Sequence, residues 1–338
     1  MKALITGGAG FVGSNLAAFL LEKGHTVVVF DSLARNGASE NLAWLRSIGL
    51  RDFVHGDIRN AFDVEQIVEN TQPDVIFHLA GQVAMTTSMQ SPRRDFEINV
   101  LGSMNVLEAV RRHCPAAAVI YASSNKVYGN LDHLDLVEAE TRYQPRTLQN
   151  GVDESVAIEF HTPYGCSKGA ADQYMLDYAR GFGLNTVVFR HSTIYGGRQF
   201  ATYDQGWVGW FCRQAIETKR NPGRPAFTVS GDGKQVRDLL HVSDAVNAYV
   251  AAFDHIAEAR GNAFNIGGGI GNSMSLLELL RFLEKRLGIE LNYTHLPWRQ
   301  SDQKFFVADN SKAERLLRWT PAKSKESGIE DTINWESR

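Results

Sequence analysis

Tyr164 and Lys168, four residues apart in Tyr164-Gly165-Cys166-Ser167-Lys168, are the side chains in this sequence best suited to acid–base chemistry. The stretch continues at helical spacing through Ala170, Tyr174, Leu176 and Tyr178. A step of four puts both side chains on one helical face, so a cation lies beside a phenol. A free phenol titrates near ~10 and is almost wholly protonated at neutral pH. An ammonium roughly 6 Å away, at an effective dielectric of about 20, would lower that value by about two units. The tyrosine could then take the proton of a substrate hydroxyl near neutrality. Tyr-x-x-x-Lys also describes an ordinary amphipathic helix, so the pair gains chemical meaning only from what the chain places beside it.

The first such neighbour is Ser123-Ser124-Asn125-Lys126-Val127-Tyr128-Gly129, which closes a strand-like run over residues 118–122. Side chains just beyond a parallel strand face the ligand crevice. Two serines after a strand more often mean a turn, but with Tyr164 and Lys168 downstream a hydroxyl, a phenol and an ammonium make a hydride-transfer site. A hydride acceptor is suggested by the N-terminus. Residues 2–6 form a short strand that breaks into Gly7-Gly8-Ala9-Gly10-Phe11-Val12-Gly13, followed by an apolar-periodic helix. Glycines at 7, 10 and 13 allow a tight turn, close approach of a pyrophosphate and close packing of the helix, whose N-terminus favours phosphate. A second strand over 26–30 ends at Asp31, where a carboxylate accepts ribose hydroxyls and repels a 2′-phosphate. NAD is therefore expected rather than NADP, with Arg35 as the one residue that could favour the latter.

Further strands are expected at 53–55, 75–79 and 186–190, and helices at 61–69 and 96–112. The alternation predicts an α/β fold: a Rossmann-like, doubly wound parallel sheet over residues 1–190, then a smaller α/β substrate domain over 191–338, with later segments free to return to the first. Asp57, after the third strand, is either an adenine contact or a helix N-cap. Asn99 is a polar residue on an apolar helix face, where a structural hydrogen bond is the plainer explanation. Residues 129–155 read as a long polar surface loop or flap. Arg198 is a phosphate ligand or half of a surface salt bridge, and the run Trp207-Val208-Gly209-Trp210-Phe211 reads more as core than as a stacking surface. Gly231-Asp232-Gly233 is a hairpin signal. Ser243 is the expected cap of a helix over 245–253, Gly267-Gly268-Gly269 a flexible connection before a helix over 276–287, and the tail from Lys323 polar and peripheral.

Composition narrows the partners. Thirty-five basic against 38 acidic residues give a net charge of −3, without the basic block of a nucleic-acid-binding protein. The apolar runs are strand-length, so no membrane partner is expected. The N-terminus lacks the pattern of a secretory signal, and three well-separated cysteines, Cys114, Cys166 and Cys212, suggest a reducing cytoplasm with neither a disulfide framework nor a metal site.

Taken together, Thr6-Gly7-x-x-Gly10-x-x-Gly13, Asp31, Gly56-Asp57, His78-Leu79-Ala80, Ser124-x-x-Val127-Tyr128-Gly129, Tyr164-x-x-x-Lys168, Tyr195-Gly196 and Gly231-x-Gly233-x-Gln235-x-Arg237-Asp238 resemble the extended short-chain dehydrogenase/reductase family of NAD-dependent nucleotide-sugar epimerases and dehydratases. The resemblance covers nearly the whole chain. It implies Ser124, Tyr164 and Lys168 as catalytic residues. Gly7, Gly10, Phe11, Val12, Gly13, Asp31, Asp57, Ile58, Leu79, Ala80, Gln82 and Asn99 would join Tyr164 and Lys168 around NAD. Ser124, Asn125, Thr193, Arg198, Gln205 and Arg237 would contact the substrate, with Arg237 on its diphosphate. The segments 160–174, 124–129 and 198–208 point to the branch that acts on CDP-sugars at C2. Dehydratase relatives carry Asp-Glu where this chain has Asn125-Lys126, so dehydration is not expected. The family also implies a homo-oligomer, a dimer or a tetramer.

Overall fold

A computed structural model describes residues 1–338. The expected alternation is present. Strands β1 (Lys2–Thr6), β2 (Thr26–Asp31), β3 (Asp52–His55), β4 (Val75–His78) and β5 (Ala118–Ser124) alternate with α1 (Phe11–Glu22), α2 (Ala38–Ser47), α3 (Ala61–Thr71), α4 (Met85–Gln90), α5 (Pro92–Phe96) and α6 (Gly102–His113). A π-helical turn, Glu97–Leu101, joins α5 to α6, and a 3-10 turn, Asn125–Tyr128, follows β5. The hairpin of β6 (Leu136–Glu138) and β7 (Tyr143–Pro145) precedes α7 (Thr162–Phe182), β8 (Asn185–His191) and β9 (Thr193–Tyr195). Then come α8 (Trp207–Arg220), β10 (Phe227–Ser230), β11 (Val236–His241), α9 (Val242–Asp254), α10 (Ile256–Ala259), β12 (Asn262–Ile266) and β13 (Ser273–Ser275). The chain ends with α11 (Leu276–Leu287), β14 (Tyr293–Leu296), β15 (Phe305–Phe306), α12 (Ser311–Leu317) and α13 (Lys325–Glu336).

Seven parallel strands form the main sheet in the order β12-β8-β5-β4-β1-β2-β3. Strand order reverses between β1 and β4, which opens the ligand crevice of a doubly wound sheet at the carboxyl ends of those strands. Side chains alternate between the two faces. Ala3 and Ile5 pack with Leu16, Leu20, Leu45 and Tyr249 from α1, α2 and α9, while Leu4 packs with Val64, Val106, Leu107 and Met175 from α3, α6 and α7. Both faces are dry, which is why these strands read as continuous apolar runs. A third core holds the smaller region together. It joins α8, α11 and α13 through Phe211, Ala215, Leu279, Leu283, Ile329 and Ile333 to β10 and β11.

Segments beyond residue 190 return to the main sheet. β12 pairs with β8 in the main sheet, and α9 covers that sheet's face. Several local expectations are corrected. Gly231-Asp232-Gly233 does not turn a hairpin: β10 pairs in parallel with β14, whereas β11 pairs with β9, β13 and β15. Asp232 instead accepts from the Lys234 amide and the Tyr143 hydroxyl, so the glycines link two different sheets. Residues 129–155 are not a flap, because Leu131, Tyr143 and Val152 are buried, Val152 bonds to Val307, and Arg142 pairs with Glu278. His241, not Ser243, caps α9. Gly267 is packed rather than flexible: a Cβ there would lie 1.9 Å from the Asp238 carboxylate. The tail is docked, with Ile329, Thr332 and Ile333 of α13 buried.

Candidate active site

Helix α7 and the end of β5 bring the proposed reacting groups together. Ser124 ends β5, and Pro163 in the first turn of α7 starts the helix where its missing N–H costs nothing. Tyr164 follows at once, with its backbone N–H donating to Ser88 Oγ at 3.2 Å. Tyr164, Ser124 and Lys168 are all buried, and Tyr164 and Ser124 line the same cavity. The Lys168 ammonium donates to the Ala122 carbonyl at 2.6 Å and lies 4.6 Å above the Tyr121 ring.

The electrostatics differ from the sequence expectation in one respect. Burial pushes the Tyr164 phenol up to about 12, with Ser124 opposing and Asp95 reinforcing. Burial likewise pulls Lys168 down to about 8, against the attraction of Asp95 and Asp172. The expected lowering of the phenol by its helical neighbour is therefore absent from the protein alone. The ammonium is engaged by the Ala122 carbonyl, and the loss of water on burial dominates the phenol's shift.

Beneath the site lies a polar network whose acid was not singled out in the sequence. Asp95 accepts from Ser167 Oγ at 2.5 Å, Gln82 Nε2 at 2.9 Å and Asn99 Nδ2 at 3.4 Å. Asn99 also donates to Ser167 Oγ and exchanges hydrogen bonds with the backbone of Gln82. Gln82 and Asn99 thus brace the turn after β4 against α7, as the plainer reading of Asn99 anticipated. A second buried pair, Arg190 and Asp172, is bidentate at 2.9 Å; Asp172 also accepts from Ser123, and Arg190 donates to Tyr128. These contacts fix the end of β5 against α7. Asp95 and Asp172 are isolated polar residues in helical sequence, a pattern too common to be read as a signal.

The dinucleotide features meet at the other side of the crevice. Gly7 has φ +71°, and a Cβ there would lie 2.6 Å from the Ala80 nitrogen; a Cβ on Gly13 would lie 2.3 Å from the Gly7 carbonyl. Only glycine fits either position. Gly10 caps α1 without a side-chain hydrogen bond, and the first turn, beginning at Phe11 and Val12, holds no acidic residue. Its N–H groups are thus left for an anion. Asp31 accepts from the Ala9 amide at 3.0 Å and the Leu33 amide at 2.7 Å, and burial raises its carboxyl above the usual range. Asp57 is held by Arg59 at 2.6 Å, which keeps its carboxyl low; Asn60, not Asp57, caps α3. Ile58 is buried in the core beside Gly102, and Leu79 and Ala80 line the turn after β4. The glycine turn, the uncapped helix start and the carboxylate fit the pyrophosphate and ribose of a dinucleotide.

Ser124 and Tyr164 face a cavity of about 280 Å³, lined on the same side by Asn125 and Lys126. The smaller region supplies Thr193, Gln205, Arg237, Tyr203, Trp207, Trp210, Phe211, Arg299 and Asp302. Asn125, Thr193, Gln205 and Arg237, the expected substrate contacts, thus line one cavity together. Arg198 does not. Its guanidinium lies 4.0 Å from the Trp44 ring centre and 4.9 Å from that of Trp335, sandwiched between α2 and α13 outside this cavity. Trp207, Trp210 and Phe211 do both: they line the cavity, and they belong to or pack against the core of the smaller region, as the core reading of this run expected. Arg299 and Asp302 lie between β14 and β15 in sequence without periodicity, so nothing local marked them.

With this geometry in view, the family model described as "NAD dependent epimerase/dehydratase family" matches residues 3–267. The chain belongs to that family. Among curated members, CDP-paratose 2-epimerase of Salmonella typhi is 57% identical over 337 residues, covering 100% of this chain and 99% of that protein. Among solved structures, UDP-glucuronic acid 4-epimerase from Bacillus cereus, in complex with UDP-glucuronic acid and NAD, has a TM-score of 0.84 at 27% identity, over 99% of each chain. UDP-glucose 4-epimerase from Thermotoga maritima, with UDP-glucose, has a TM-score of 0.84 at 28% identity, over 99% of this chain and 98% of that one. These likenesses run through both the sheet and the smaller region, so the family's whole architecture is represented.

Proposed function

We propose that this protein is an NAD-dependent nucleotide-sugar 2-epimerase that converts CDP-paratose to CDP-tyvelose. The observation that carries the reading is the 57% identity over the full chain with CDP-paratose 2-epimerase. The cavity supports it, because the catalytic hydroxyls and a cationic wall face the same space. We assign the main sheet with β12 and its covering helices to the cofactor, and β9–β11, β13–β15, α8, α11 and α13 to the nucleotide sugar.

The proton on sugar C2 is not acidic, so inversion there requires oxidation first. Gly7, Gly10, Gly13, Asp31 and Lys168 would hold NAD, which would supply a reversible hydride acceptor. Ser124 hydrogen-bonds the substrate's 2-hydroxyl, and Tyr164 takes its proton as hydride leaves C2. The product of that step is a 2-keto sugar. Turning of the keto sugar exposes its other face, hydride returns there, and Tyr164 returns the proton to oxygen, so that protons and electrons balance over the cycle. The Tyr164 phenol, near 12 in the protein alone, must be lowered in the complex, and the positive charge of an oxidised nicotinamide acts in that direction. Asn125 and Lys126 offer no carboxylate pair beside Ser124, consistent with epimerisation rather than loss of water.

Such a product would enter lipopolysaccharide sugar biosynthesis. The free thiols Cys114, Cys166 and Cys212 support a cytoplasmic setting, and the exposed Phe96, Leu101, Tyr174 and Phe182 on α5–α7 and the π turn support a homo-oligomer. Turnover of CDP-paratose beside UDP-glucose, followed by chromatography of the nucleotide sugars, tests the assignment. Conversion of the CDP-sugar alone is expected; conversion of UDP-glucose to UDP-galactose in its place would make the protein a 4-epimerase.

A further inference from the structure

Lys126 stands two residues beyond Ser124 on the 3-10 turn that follows β5, and its backbone N–H donates to Ser124 Oγ at 3.2 Å. Its side chain is 17% exposed and lines the same cavity as Tyr164. Its ammonium donates to the Ser301 carbonyl at 3.1 Å and lies 3.6 Å from Asp302, which also receives Arg237 at 2.6 Å. An ammonium has three donors, so these two contacts leave one free.

The charges around this point do not cancel. Lys126, Arg237 and Arg299 all act on Asp302, and this one carboxylate leaves two positive charges over, which a doubly anionic diphosphate would match. The cations are also ordered in space. Arg237 is on β11 and Arg299 follows β14, both in the smaller region, whereas Lys126 is tied to the catalytic serine. In a nucleotide sugar only the anomeric carbon and its oxygen stand between C2 and the nearer phosphorus. For reaction at C4, most of the sugar ring intervenes. A site that works at C2 therefore needs its innermost phosphate-binding cation on the catalytic side of the cavity, and Lys126, rooted two residues from Ser124 and lining the cavity with Tyr164, is the one cation that comes from that side.

We infer that Lys126 binds the sugar-proximal phosphate of the substrate and so acts as a specificity-determining residue that directs oxidation to C2. This rests on the 2-epimerase reading and adds to it the residue that fixes the regiochemistry. Burial holds the Lys126 ammonium at about 8, with Asp302 raising it and Arg237 and Arg299 lowering it, so an incoming phosphate also relieves an unfavourable charge environment.

The test is calorimetric titration of the NAD-loaded protein with CDP and with CMP, which lacks the proximal phosphate, in the wild type and in Lys126→Met and Lys126→Arg. Lys126→Met should weaken CDP by roughly 10- to 100-fold and leave CMP within about twofold, with KM for CDP-paratose rising in parallel. Lys126→Arg should restore part of the CDP affinity. An unchanged CDP-to-CMP ratio in Lys126→Met, or equal loss for both nucleotides, would overturn the assignment; bound NAD and the thermal midpoint identify a variant that has simply misfolded, in which case Lys126→Gln gives the same comparison. Wild-type turnover of CDP-paratose tests the underlying reading separately, because its absence would remove the 2-epimerase activity without altering the nucleotide titrations.

Discussion

Replacing Asp31 by asparagine separates what the end of β2 does for the fold from what it does for the cofactor. Both carboxylate oxygens are used locally, one by the Ala9 amide at 3.0 Å and the other by the Leu33 amide at 2.7 Å. An asparagine keeps one acceptor, so one backbone N–H faces an amino group, a loss of about 1–3 kcal/mol. Against this, burial outweighs those hydrogen bonds and raises the Asp31 carboxyl above its ordinary value. The folded state then holds the proton more tightly than the unfolded chain, and ionisation at neutral pH is a net cost that asparagine removes. The two effects oppose each other, so global stability at neutral pH should change by no more than about 2 kcal/mol. Binding has no such offset. The remaining lone pairs of the carboxylate are the acceptors for the adenosine ribose, and losing a charge-assisted pair should weaken NAD by about 10- to 100-fold. Discrimination against NADP should fall as well, because the charge that repels a 2′-phosphate is gone while Arg35 stays. Urea unfolding gives the first quantity, and titration of cofactor-stripped protein with NAD and NADP gives the others. An NAD affinity and an NAD-to-NADP ratio both equal to wild type would refute the role of Asp31.

Other perturbations have equally definite outcomes. Arg190→Met leaves the buried Asp172 without its bidentate partner and should cost about 3–5 kcal/mol in urea unfolding, with Asp172→Leu in the same chain recovering most of it; a loss below about 1 kcal/mol would mean that the pair contributes little. His78 and His191 are buried and held neutral down to about 3 by the loss of water. Their unfolded counterparts take up protons below about 6.5, so stability should fall as pH drops from that value toward 3, by about 1.4 kcal/mol per pH unit for each histidine. His191→Gln should lower that slope, and an unchanged slope would contradict the burial argument. Tyr164→Phe should abolish turnover while the protein keeps its NAD, which absorbance of the cofactor released on denaturation measures; full activity would remove Tyr164 from the mechanism.

The parts of the fold that were legible in the sequence are those where a local pattern has one physical solution. A glycine turn between an apolar strand and a periodic helix fits only the crevice of a parallel sheet, and dry strands such as β1 and β4 announce themselves as unbroken apolar runs. The smaller region was harder because its partners are far apart in sequence. Gly231-Asp232-Gly233 has hairpin chemistry, yet β10 finds β14 more than sixty residues on. The aromatic run of α8 has the composition of a core and packs as one, and only the folded structure shows that Trp207, Trp210 and Phe211 also line the cavity. Arg198 has the composition of a phosphate ligand, but two indoles hold it elsewhere. The Tyr164–Lys168 spacing predicted proximity on one face, while the sign of the phenol's shift depended on desolvation, which spacing does not encode.

Proton NMR of the purified protein with CDP-paratose in D₂O tests the central claim most directly, through the ring couplings at C2 and the isotope found there. The account predicts conversion to the tyvelose configuration with protium retained at C2, because the hydride that leaves that carbon is the one returned to it. Deuterium at C2 of the product would show exchange with solvent and contradict the oxidation and internal return of hydride.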